Sequence, residues 1–301
     1  MRASKLLLSL VIVALTLSLA GCGRHESNEK YYLIAANIKL PYWQTAGAGL
    51  RAATGQMFVK NEFGGPDTYD PQAEAEEFRK AVAAKPSGIL VSPADPEVMK
   101  PEIDAAIAAG IPVITIDSDA PGSKRLFFIG TNNYNAGTMG GKVAVKRLNG
   151  RGNVVFFSMP GQANLDERLH GYKDAFANSP GIKIVEVVNI KGDSRIAFDK
   201  TAEYLGKTGN NKIAAFICLE ASAPKDVAEV VRREHATDRL VIGMDTEKET
   251  LDAIKDGTIA ATITQKPYTM SYVGTKMLDD LHHNKLKSLN EDWAKDPRSP
   301  I

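Results

Sequence analysis

From residue 31 onward, short apolar runs alternate with longer stretches whose apolar residues recur every three or four positions. The runs "YYLIAANI", "QMFVKNEF", "GILVSP", "PVITID", "RLFFIGT", "NVVFFSM", "IKIVEVVNI", "IAAFICLE", "LVIGMD" and "IAATITQ" read as strands. Between them, "PQAEAEEFRKAVAA" and "PEVMKPEIDAAIAAG" read as helices, the first placing Ala75, Phe78, Ala81 and Val82 on one face. Pro71 and Pro96 suit a first helical turn, Asp70 and Asp95 suit the N-caps before them, and Gly110 suits a helix end. Strand–helix alternation predicts parallel sheets covered on both faces. About ten strands exceed what one twisted open sheet comfortably holds. The rhythm divides near residue 131, so the expected fold is α/β, two doubly wound parallel-sheet lobes, with no repeat visible at the level of residues.

The segment before residue 31 departs from this pattern. Arg2 and Lys5 precede "LLLSLVIVALTLSLAG", an apolar run short for a bilayer span, which closes in small residues. "LAGC" at 19–22 resembles the lipobox of bacterial lipoproteins, with Cys22 as the acylated residue. Residues 1–21 then read as a signal peptide and 22–30, "GRHESNEK" behind the cysteine, as a lipidated tether. The expected location is the periplasm or the cell surface, anchored through Cys22.

Composition adds exclusions. The chain has 301 residues, 44% hydrophobic and 24% charged, the profile of a globular protein. Its net charge of +1 gives no basic field for nucleic acid. With Cys22 acylated, Cys218 is the one remaining thiol, so no intramolecular disulfide is available and stability rests on the core. His282 and His283 are adjacent and do not share a helix face, so a surface position and no metal are expected.

In doubly wound sheets, ligands bind beyond the carboxyl ends of the strands. Nearly every such end here carries a polar side chain: Asp117 and Ser118, Thr131 and Asn133, Asn164 and Arg168, Glu220, Asp245 and Gln265. Tyr42 and Trp43 follow the first strand. The set holds carboxylates, amides, a guanidinium and two aromatics, but no nucleophile–base pair. It suits a sugar, whose hydroxyls both donate and accept and whose C–H faces pack on flat rings. Each residue also has a plainer use. Asp117, Ser118 or Asp245 is a suitable helix cap, Arg168 a suitable solvated charge, and Trp43 a suitable core aromatic.

"LPYWQT", "DTYDPQAEAEEFRKAV", "GILVSPADPEVMKPEIDAAIAAGIPVITIDSD", "FIGTNNYNAGTMGGKVA", "DERLHGYKDAF" and "VIGMDTEKETLDAIKDGTIAATITQKPYTMSYVG" together make residues 31–285 resemble the type I periplasmic binding proteins of ABC sugar transporters, in the ribose-binding branch. The resemblance implies two lobes joined by a hinge that closes on a monosaccharide. The first lobe would comprise 31–130 plus 267–301 and the second 131–266. It further implies a monomer that offers its closed form to an ABC permease in the inner membrane, with no catalytic residues, cofactor or nucleic acid. By position, Tyr42 and Trp43 match the family's aromatic pair, Asp117 its hydroxyl-binding aspartate, Arg168 its sugar-clamping arginine, and Asp245 and Gln265 the acid and amide from the second half. Ser118, Thr131, Asn133 and Glu220 complete the expected ligand-binding set.

The chain departs from the family in three places: Ser118 where an arginine is frequent, Leu219–Glu220 where ribose binders carry Asn-Asp, and Leu40 before the proline of the aromatic pair. These change the hydrogen-bond set from that of ribose binders. "IDSD" also resembles a segment of furanosyl-autoinducer binders, so the alternative is a receptor for a sugar-like signal feeding a membrane sensor. After "YTMSYVGTKMLDDL" no final strand is legible, and the last crossover between lobes reads as truncated. Other doubly wound functions fit poorly. "GTMGGKV" (137–143) fails the phosphate-loop pattern, with Ala136 at its first glycine and Val143 at its Ser/Thr. The export signal occupies the place where a sugar-responsive repressor would carry its helix-turn-helix.

Overall fold

A computed structural model describes residues 25–284. The signal peptide, Cys22 and the region of the expected truncated crossover lie outside the described residues.

Among the described residues, ten strands form two five-stranded sheets in which every pairing is parallel. The first sheet holds β1 (Lys30–Ile34), β2 (Lys60–Gly64), β3 (Gly88–Val91), β4 (Val113–Ile116) and β5 (Phe127–Ile129), in the order β2-β1-β3-β4-β5. The second holds β6 (Arg151–Ser158), β7 (Gly181–Asn189), β8 (Ile213–Cys218), β9 (Leu240–Met244) and β10 (Ala261–Ile263), in the order β10-β9-β8-β6-β7. Read from the other edge, the second order repeats the first with each strand advanced by five. The repeat is therefore one of topology, and β4 and β9 are equivalent strands. The central strands are apolar on both faces because helices cover both, as in β3 and β4, where every residue is buried.

The helices are α1 (Pro41–Met57), α2 (Pro71–Ala83), α3 (Pro96–Ala108), α4 (Asn133–Arg147), α5 (Ala163–Phe176), α6 (Arg195–Leu205), α7 (Ala223–Arg233), α8 (Lys248–Lys255) and α9 (Pro267–His283). Asp70 Oδ1 accepts the N–H groups of Gln72 and Ala73, each at 3.0 Å, and Asp95 Oδ1 those of Glu97 and Val98, so both act as the N-caps expected. Gly110 takes φ +82 just beyond α3. The second expected strand begins later than "QMFV" suggested. Met57 extends the buried stripe Ala46, Leu50 and Ala53 and so stays helical, while Phe58 ends α1 in the left-handed region and points into solvent.

The last helix, α9, returns to the first lobe. Leu278 packs at Gly88 of β3, and the turn at Tyr268 lies so close to Gly49 of α1 that no side chain fits between them. In the second lobe, the glycines of "GTMGGKV" lie within α4 as a packing face. A Cβ on Gly137 would overlap the Arg168 carbonyl, and one on Gly140 the Tyr172 hydroxyl. This close approach sets α5 hard against α4 and fixes the direction of Arg168. Among the described residues, no helix is long and apolar enough to cross a membrane.

Candidate functional site

The carboxyl ends of both sheets face one cleft, which encloses about 650 Å³ of empty space, its open mouth included. The first lobe lines it with Tyr42 and Trp43 from the first turn of α1, Ser92 after β3, and Asp117 and Ser118 after β4. The second lobe adds Asn164 and Arg168 from α5, Glu220 after β8, Asp245 after β9 and Gln265 after β10.

Asp117 and Asp245 occupy equivalent positions and share an unusual backbone. Their φ angles are +62 and +66, a left-handed conformation rare for residues other than glycine and one that aspartate tolerates better than most. In each lobe the aspartate N–H bonds the outermost strand: Asp117 to the Ile129 carbonyl at 3.1 Å, Asp245 to the Ile263 carbonyl at 2.8 Å. The chain thus leaves the sheet sharply, and each carboxylate turns into the cleft. Neither caps a helix. The Tyr42 hydroxyl donates to Asp117 Oδ1 at 2.6 Å, and Asn164 Nδ2 donates across the cleft to Asp117 Oδ2 at 3.2 Å. Gln265 Nε2 donates to both Asp245 oxygens, at 3.3 and 3.1 Å.

Arg168 is 2% exposed and stands between the two acids' environments. It donates to the Leu219 carbonyl, to Asn133 Oδ1 at 2.6 Å and to Gln265 Oε1 at 3.4 Å. Its Nε–H is buried without a partner, as is the Ser118 hydroxyl. Two buried polar atoms of cleft-lining residues therefore have no hydrogen-bond partner within the protein. Burial is the first cause of the raised pKa of Asp117, and the Arg168 charge and the Tyr42 hydrogen bond oppose it. Burial likewise pushes Asp245 up to about 7, against the pull of Arg168 and with the help of the Asp117 charge. The Tyr42 phenol is driven well above its ordinary range, mainly by burial and then by the two carboxylates.

Thr131 and Asn133, expected to touch a ligand, do not line the cleft. They sit one bond behind it: Thr131 Oγ1 donates to Gln265 Oε1 at 2.8 Å, and Asn133 holds Arg168. Residue type alone did not separate these supports from the wall, because both follow a strand as the wall residues do. Glu220 lines the cleft, but its oxygens accept the Ser222 and Ala223 N–H groups, both at 2.7 Å, which caps the start of α7. Trp43 is 5% exposed and meets the Tyr42 ring edge to face, centroids 5.1 Å apart, so it serves the core as well as the cleft.

Several lining residues went unread. Ser92 ends β3 as the others end their strands, and that position was its signal. Tyr69, Gln162 and Gly192 come from loops with no periodic pattern. Gly192, at φ +75, lies against Tyr69 of the other lobe so closely that a Cβ would overlap the Tyr69 Cβ. The lobes meet again where the Tyr42 N–H donates to Glu247 Oε1 at 3.0 Å.

The model of the periplasmic binding protein domain family matches residues 31–285. The ribose import binding protein of Bacillus subtilis (strain 168) is 27% identical over 225 residues, covering 72% of this chain and 70% of its own length. A sugar-binding protein of a sugar ABC transporter from Bacillus halodurans has a solved structure that is 33% identical, with a TM-score of 0.75 over 85% of this chain and 88% of its own. A glucose-galactose binding protein from Geobacillus stearothermophilus superposes with a TM-score of 0.81 at 30% identity, covering 88% of this chain and 94% of its own.

Proposed function

Since the chain belongs to the periplasmic binding protein domain family, and like its relatives is a solute-binding protein rather than an enzyme, we propose that it captures a monosaccharide between its lobes and hands it to an ABC permease. The observation that carries this reading is the meeting of Tyr42, Trp43, Asp117 and Ser118 from one lobe with Arg168, Asp245 and Gln265 from the other around one cleft. Carboxylates accept from sugar hydroxyls, the unpartnered Arg168 Nε–H donates to one, and the Ser118 hydroxyl does either. Tyr42 and Trp43 offer an apolar wall to the ring's C–H face. The relatives that bind ribose, glucose and galactose support the sugar class without choosing among its members.

In this reading the lobes close around the sugar, and the closed form is what the permease recognises. The protein works as a monomer outside the cytoplasm, held at the membrane by acyl chains on Cys22. The test is a thermal-shift screen against pentoses, hexoses, polyols and nucleosides, because a ligand that binds only the folded state raises Tm when supplied well above its Kd. At least one aldose should raise Tm and be recovered chemically unchanged. A screen in which no sugar shifts Tm, or in which a non-carbohydrate alone does so, overturns the proposal.

A further inference from the structure

Far from the cleft, at the end of α9, four potential metal ligands converge. They are His25, Glu29, Asp279 and His283, whose ligand atoms all lie within 4.8 Å of one another. We propose that these four residues bind a divalent transition-metal ion, Zn²⁺ foremost, and that the ion clips the segment leading out of the tether to the last helix of the first lobe.

The spacing carries the proposal. Asp279 and His283 stand four residues apart on α9 and so share a face, and His25 and Glu29 repeat that spacing in the segment entering β1. His25 Nε2 lies 3.0 Å from Asp279 Oδ1, and His283 Nε2 lies 3.1 Å from Glu29 Oε2 and 3.3 Å from Asp279 Oδ1. Four ligands about 2.1 Å from a tetrahedral Zn²⁺ are separated by about 3.4 Å, so these three edges are close to the required size. Two imidazoles and two carboxylates suit Zn²⁺, and the carboxylates balance its charge. The side chains of Glu29 and Asp279 are buried, at 3% and 6% exposure, and those of His25 and His283 are largely covered.

Two further contacts hold the ligands in place. The Tyr31 hydroxyl donates to Asp279 Oδ1 at 3.2 Å, and the Glu26 N–H donates to Glu29 Oε1 at 2.6 Å, which leaves Oε2 to face the histidines. Such outer contacts orient metal ligands elsewhere. The site also sits on the last turn of α9, where the carbonyl end of the helix favours a cation. The sequence concealed all this. His283 looks isolated because Glu29, one of its partners, comes from the other end of the chain, 254 positions away.

The experiment uses the full chain in detergent micelles, stripped with a chelator and then titrated calorimetrically with Zn²⁺. One Zn²⁺ per chain should bind, remain after dialysis and raise Tm. Co²⁺ in its place should give the strong visible absorption of a four-coordinate site. His25→Ala and His283→Ala should each weaken Zn²⁺ binding at least tenfold, since even loss of an outer-shell partner costs 10–100-fold elsewhere. His235→Ala, an exposed histidine, should not. Metal-free Tm values establish that the variants fold. No retained Zn²⁺, or an affinity unchanged from the native protein in both ligand variants, would show that the cluster is a set of hydrogen-bonded pairs and overturn the site.

Discussion

Replacing Arg168 with Met tests the cleft most directly, because one side chain carries three of its features. It keeps much of the volume of a fully buried residue, removes the charge, and removes the Nε–H that has no protein partner. A charge-assisted hydrogen bond to a ligand hydroxyl contributes about 1.5–3 kcal/mol, so its loss should weaken binding roughly 10- to 150-fold. The electrostatics add a second signature. Arg168 lowers the pKa of both Asp117 and Asp245, and without it burial acts on both acids with less opposition. If the ionised Asp245 accepts from the sugar, affinity in the native protein falls as pH drops through about 7, and in the variant that fall begins at higher pH. Calorimetric titration across that range, with the best sugar from the thermal screen, reads both effects. The ligand-free Tm separates them from misfolding, since Asn133 and the Leu219 carbonyl also lose their donor. An affinity within twofold of the native protein, in a folded variant, would refute the role of Arg168.

Two other substitutions probe separate parts of the molecule. Glu74 is wholly buried in α2, with Oε2 accepting the Ala94 N–H at 2.8 Å and Oε1 unpartnered, and burial pushes it from 4.5 up to about 8. Its raised folded pKa means that the stability of the neutral form is fully present below about 4.5 and lost as pH rises through about 8, to a limit of roughly 5 kcal/mol. Glu74→Gln should therefore match the native protein in denaturant unfolding near pH 4 and exceed it by several kcal/mol above pH 8; parallel pH curves would refute the burial argument. Gly192→Ala places a methyl group against Tyr69 across the lobes, so ligand affinity should fall roughly tenfold, and small-angle scattering should show an incompletely closed form with sugar present. Gly161→Ala, also at positive φ but with open space around it, should cost stability alone, and equal affinity losses in the two variants would count against closure at Gly192.

What could be read in the sequence follows from what each signal depends on. The central strands β1, β3, β4, β8 and β9 were legible because parallel strands covered on both faces are continuous apolar runs, and Asp70 and Asp95 were legible because capping is a local act. The error at Gln56–Met57 arose where an apolar helical stripe ran into an exposed Phe58, which looks like a strand start in one dimension. Within the cleft, type and strand-end position pointed to Asp117, Arg168, Asp245 and Gln265. They did not reveal that Thr131 and Asn133 face those residues and not the cavity, because that depends on which way the chain leaves each strand. Glu74 was hidden for a related reason: on a helix pattern, a glutamate beside Ala75 reads as solvent-facing.

The two aspartates show how the duplicated topology serves a cleft. Each sits at the same point of its lobe, in the same strained backbone, with its N–H tied to the edge strand. Each lobe alone would leave its acid at an open sheet end, well solvated. Where the lobes meet, Asn164 reaches Asp117, Glu247 meets the Tyr42 amide, and burial raises the pKa values of both acids. Closure without ligand therefore buries charge and leaves Arg168 Nε and Ser118 Oγ unpaired, which is costly. A molecule presenting several hydroxyls in the cleft relieves those costs in the closed form alone. Under the proposed hinge closure, its differential affinity for that form would shift the equilibrium toward it. On this argument a neutral polyhydroxylated ligand closes the lobes, while an anion, which would meet Asp117 and Asp245 as like charges, does not.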